Sequence, residues 1–171
     1  YVFNFAGNSG MQGRLSAAYQ FNPVIGVKGM LGYHGYKWST VPQNTDGTYP
    51  YVNFGSENLT ADFMLNLSNW WAGFNPQRKF DVSAFVGAGA ALLNNNAALS
   101  PWGFLGRAGL QGDYHLTPEF DINMIVEGNA TSDNYNDVAN KPLVIDAIPA
   151  ITLGIAYRLP AKEKKPAKKV A

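Results

Sequence analysis

Residues 59 to 67, Leu-Thr-Ala-Asp-Phe-Met-Leu-Asn-Leu, decide the fold. Leu59, Ala61, Phe63, Leu65 and Leu67 are apolar, and three of the four residues between them are polar. That spacing is the side-chain period of a strand, in which successive residues face opposite sides of a sheet. One face suits an apolar surrounding, while the other carries the carboxylate of Asp62.

The same alternation runs through the chain. In 12–21, Leu15, Ala17, Tyr19 and Phe21 oppose Arg14, Ser16 and Gln20. In 24–38, Ile25, Val27, Leu31 and Tyr33 oppose Lys28, His34 and Tyr36. Further strands are expected at 80–92, 102–116, 119–129 and 147–159, and residues 1–5 read as the end of another. The count is eight, with no helical pattern between them. Asn22-Pro23 and Thr117-Pro118 mark tight turns, and 68–79 reads as a turn of intermediate length. Long polar loops are expected at 39–56, 93–101 and 130–144. If each strand reverses the last, all long loops lie at one end.

Composition narrows the class. Only 15% of the residues are charged, against about 25% in soluble domains. Hydrophobic residues make up 46% and aromatic residues 13%. No run of about 18 apolar residues exists, so a transmembrane helix is not expected. The chain has no cysteine, which excludes disulfides and thiolate metal sites. Net charge is +1, but 161–171 holds five Lys and one Glu, leaving the remainder at −3. This tail reads as a solvated Lys/Pro/Ala linker. Its lack of aromatics speaks against a nucleic-acid arm. The opening at Tyr1, without an initiator Met, suggests that upstream residues and an export signal have been removed.

Alternating strands fit two architectures, a soluble barrel or sandwich with apolar residues inside and a membrane barrel with them outside. Four features favour the second. The polar face holds isolated charges of both signs, Arg14, Lys28, Asp62, Asp81, Arg107, Asp113, Asp121 and Glu127, among small residues. Such a set suits a narrow interior in which ions neutralise one another. Several segments exceed the usual five or so residues of a soluble strand and reach the roughly 9–11 that cross a bilayer. Aromatics gather near segment ends: Tyr19, Phe21, Trp70, Trp71, Tyr114 and Tyr157 beside short turns, and Tyr33, Trp38 and Trp102 beside long loops. This is the pattern of two interfacial girdles. Finally, a sheet in lipid must close on itself, which an even strand number permits.

The expected fold is therefore all-β, a closed antiparallel up-and-down transmembrane β-barrel of eight strands over 1–159, with a basic linker over 160–171. Residues 63–91, FMLNLSNWWAGFNPQRKFDVSAFVGAGAA, resemble OmpA-like eight-stranded outer-membrane barrels of the Bacteroidota type. The final ITLGIAYRL resembles the terminal strand read by barrel-insertion machinery, with Tyr157 as its aromatic. The resemblance implies a bacterial outer-membrane location, contact with lipid and lipopolysaccharide, and a peptidoglycan-binding domain beyond the linker. It implies a structural role, tethering outer membrane to wall. The alternatives are an accessory or binding subunit of a larger outer-membrane assembly, with loops 39–56 and 130–144 as contacts, or a narrow pore of low conductance.

No enzymatic constellation emerges. His34 and His115 lie on polar strand faces without metal-ligand spacing, which points to hydrogen bonding within the interior. Gly87 and Gly89 lack the strand–turn–helix context of a nucleotide loop and read as curvature glycines. Ser16 and Ser83 have no evident His partner, and there is no G-x-S-x-G elbow. Three Asn-x-Ser/Thr sequons, at 58, 66 and 129, fall in or beside strands and are set aside. No cofactor or metal is expected.

Overall fold

The computed structural model describes residues 10–39, 51–94, 102–131 and 146–159. Seven strands form one antiparallel meander: β1 Met11–Gln20, β2 Ile25–Ser39, β3 Tyr51–Asn66, β4 Phe80–Asn94, β5 Trp102–His115, β6 Phe120–Thr131 and β7 Asp146–Tyr157. A short helix, α1 Leu67–Ala72, joins β3 to β4. Each strand pairs with its sequence neighbour, in the order β1 to β7. The sheet curls into a nearly closed barrel. Its two edges meet through side chains, since Gln12 Nε2 on β1 donates to Thr152 Oγ1 and to Ile151 O on β7. The eighth expected strand, at 1–5, lies outside the described residues, as do the linker and most of the three long loops. No described helix is long and apolar enough to cross a membrane.

Two expectations need correction. The stretch 68–79 begins with a helical turn, because Asn66 Oδ1 accepts a hydrogen bond from Asn69 N and caps it. The hairpin formed by β2 and β3 is also longer than the alternation suggested. Tyr51, Val52 and Phe54 pair with Ser39, Trp38 and Tyr36, so residue 39 and residues 51–56 of the supposed loop 39–56 are strand. Aromatic and β-branched residues extend a ladder even where polarity stops alternating.

The short connections have local causes. Asn22 Oδ1 accepts from Val24 N and Ile25 N, an Asx turn that reverses β1 into β2. Thr117 Oγ1 accepts from Glu119 N and Phe120 N and reverses β5 into β6. Both lie at the same end of the barrel as α1.

The faces are inverted relative to a soluble barrel. Leu15, Leu153 and Ile155 are 75%, 73% and 79% exposed, whereas Asp62, Arg107 and Glu127 are 2%, 3% and 4% exposed. Most aliphatic residues of the described strands point outward and most charged residues inward; Met30, Leu105 and Ile125 are buried inside, and Glu57 is exposed outside. One outward row is unusually small. Ala17, Gly29, Ala61, Ala88, Gly106 and Ala130 are successive register partners across six strands.

Candidate functional site

The barrel interior holds the chain's densest chemistry. Glu127 on β6 is gripped by two guanidiniums: it accepts from Arg14 through both carboxylate oxygens and from Arg107 Nη2. Arg107 also reaches Asp62, with Nη1 3.6 Å from Oδ2. Lys28 Nζ lies 3.8 Å from the same oxygen. Lys28 Nζ then donates to Gln111 Oε1 at 2.9 Å, and Gln111 Nε2 donates to Asp113 Oδ1 at 2.8 Å. Three cations and three carboxylates thus form one connected chain through β1, β2, β3, β5 and β6. Ions taken out of water are tolerated only when paired, and this arrangement pairs each of them directly or through one amide.

Small residues make the contacts possible. Asp62, Gly87 and Arg107 are register neighbours across β3, β4 and β5. A Cβ on Gly87 would overlap Asp62 Oδ1 and lie 2.9 Å from Asp62 Cα, so glycine alone lets the charges lean over β4. Gly109 plays the same part between Glu127 and Phe85, where a Cβ would lie 2.8 Å from Phe85 Cζ.

Phe85 was not expected inside. It is 4% exposed, with Lys28 Nζ 4.7 Å and Arg107 Cζ 4.9 Å from its ring centroid. The ring is therefore flanked by two cations. Met30 is also inward, and its sulfur accepts from Arg107. The signal was parity: Asp81, Ser83, Phe85 and Gly87 share one face of β4.

Asp81 and Asp121 belong to a second cluster, at the end with the short turns. His115 Nδ1 is 2.8 Å from Asp121 Oδ1, and its Nε2 is 3.0 Å from Asp81 Oδ2. Arg158, just beyond β7, donates from Nε to Asp121 Oδ2 at 2.7 Å. Arg78 Nη1 bonds Asp81 Oδ1 and Asn69 Oδ1, each at 3.0 Å, while Asn69 Nδ2 bonds Pro23 O at 2.8 Å. Asp81 and Asp121 are thus held by Arg78, His115 and Arg158 and not by the central cations. Sequence reasoning missed Arg78, which lies outside the strands, and Arg158, which ends the expected strand 147–159 but lies just beyond β7.

The aromatics expected at segment ends point outward. Tyr19, Phe21, Trp70, Trp71, Tyr114 and Tyr157 stand at the end with the short turns, and Tyr33 and Trp102 at the other, all 47–81% exposed. Tyr19 meets Phe21 edge-on at 5.4 Å, and Trp70 stacks on Trp71 at 5.7 Å. Trp38 lies in β2, with its side chain outside the described set. Among the described residues, no group of three or more His, Cys, Asp and Glu is placed to hold a metal ion.

These features define an all-β chain whose antiparallel strands form a nearly closed barrel with an ionic interior. No protein-family model, curated protein or solved structure matches it.

Proposed function

We propose that this chain is a bacterial outer-membrane β-barrel with a plugged interior, acting as a membrane anchor. The observation that carries this reading is the inversion of faces, with Leu153 73% exposed and Asp62 2% exposed. In water, an apolar wall reaching round the sheet would be a large association-prone patch. In lipid, the same wall is solvated and the ions are shielded. Strands of 10–16 residues supply the length to cross, and pairing of the two sheet edges through the eighth strand expected at 1–5 would leave no unpaired backbone in hydrocarbon. Outward aromatics at both ends suit the two wet–dry boundaries.

The interior supports anchoring over conduction. The linked ions Arg14, Glu127, Arg107, Asp62 and Lys28 are almost fully buried and reach across the interior between β1, β2, β3, β5 and β6, which suits the filled interior expected of a barrel of about eight strands. Attachment to the cell wall through a following domain is the part of the proposal that rests on the resemblance of residues 63–91. Reconstitution into liposomes tests the reading. Stable insertion with no large open channel supports it, whereas a large conductance in every molecule contradicts the plug.

A further inference from the structure

Among the described residues, the outward wall carries an ionised group in a place that an inert lipid-facing surface does not need. Glu57 on β3 faces outward and is exposed, and among the described residues its carboxylate has no hydrogen-bond or ion-pair partner. Its register partners are Tyr33 on β2 and Leu92 on β4, and Leu92 in turn pairs with Trp102 on β5. Tyr33 and Trp102 are 51% and 62% exposed. A carboxylate therefore stands beside a phenol, with an indole one strand further on beyond Leu92, along one groove; these are the three side-chain types that recognise an ammonium ion by charge and by ring face.

The next outward row is aliphatic: Leu31, Leu59 and Ala90 are successive partners. Below it runs the row of small residues that includes Gly29, Ala61 and Ala88. The upper two rows line a groove of about 600 Å³, within the range of ligand sites. Polar head, aliphatic wall and shallow channel follow one another down the barrel, in the order of an amphiphile's own parts.

We infer that this groove binds a membrane lipid whose headgroup carries a primary ammonium, with the ammonium against Glu57 and Tyr33, Trp102 lining the groove beyond Leu92, and an acyl chain along Leu31 and Leu59. The inference rests on the outward face being the lipid face. Charge selects the occupant, because an anionic lipid would meet the Glu57 carboxylate with like charge.

The test uses the whole chain in nanodiscs of phosphatidylcholine with equal minor fractions of phosphatidylethanolamine and phosphatidylglycerol. Lipids retained after release are identified by native mass spectrometry. Enrichment of phosphatidylethanolamine over phosphatidylglycerol of roughly tenfold is expected, from one charge contact plus ring contacts. Glu57→Gln should erase the preference and Glu57→Lys should invert it, and neither change touches the interior. Tyr33→Leu should weaken the preference with Glu57 intact. Equal retention in the wild type, an unchanged preference in Glu57→Gln, or a second copy of the chain in place of lipid overturns the inference. Failure of the wild type to enter nanodiscs overturns the outward-face reading itself, so the two failures are distinct.

Discussion

Arg107 reaches Asp62 across Gly87: the guanidinium on β5 and the carboxylate on β3 come within 3.6 Å over a strand that offers no side chain at that point. The missing Cβ is as much a part of the ion pair as the charges. Gly87→Ala should therefore destabilise the barrel by about 1–3 kcal/mol, the range of overpacking. Gly128→Ala is the control, since a Cβ there meets nothing within 4 Å. Urea unfolding in detergent micelles measures both, and equal midpoints for the two variants would contradict the role given to Gly87.

Glu127 is the shared partner of Arg14 and Arg107. Replacing it by Gln leaves two buried guanidiniums facing a neutral amide. A loss of about 3–5 kcal/mol is expected, the cost of breaking a buried pair from one side. Arg14→Met combined with Glu127→Gln should recover part of that loss, because one uncompensated charge is removed. A double-mutant cycle reads the coupling, and additive losses would mean that the two residues act separately.

Asn66 and Asn69 together build the passage from β3 into β4. Asn66 caps α1, and Asn69 ties it to Pro23 and Arg78. Asn66→Ala should cost about 1 kcal/mol. The expected signature is faster hydrogen exchange confined to 67–72, with the strands unchanged. Uniformly faster exchange across the barrel would show that the helix is not a separate unit.

Val86 is outward and 59% exposed, beside inward Gly87. Val86→Arg should cost about 2–4 kcal/mol, the range for a cation placed at mid-bilayer depth on the lipid face of a barrel. Gln77→Arg, in the exposed connection after α1, should be neutral. Comparison of folding yields and unfolding midpoints in lipid bilayers tests this, and equal tolerance of both changes would contradict the assigned outer face.

Much of this was legible in the residues. Leu59, Ala61 and Phe63 against Asp62 gave the two faces, because polarity and parity agree there. They disagree at Met30, Phe85, Leu105 and Ile125, which are apolar yet face inward and are buried. A narrow interior must be filled as well as neutralised, and packing has no polarity signature. The partners of Glu127 were drawn from the expected set of cations, but the role of glycine in joining Arg107 to Asp62 depends on register, which alternation does not specify. Arg78 escaped notice because it reaches the barrel mouth from outside the strands, Arg158 because it lies at the very end of the expected strand, and His115 brings Asp81 and Asp121 together only once β4, β5 and β6 are aligned.

The central claim is that hydrocarbon surrounds the outward face and protein surrounds the inward one. The natural chain has no cysteine, so single cysteines can be placed at Phe63, Leu153, Asp62 and Trp71 and spin-labelled after reconstitution into bilayers. Collision with oxygen, which partitions into lipid, should be high at 63 and 153 and low at 62. Collision with a water-soluble nickel chelate should be high only at 71. Free access of the nickel chelate to 63 and 153, in a protein that stays monomeric without detergent, would contradict the account.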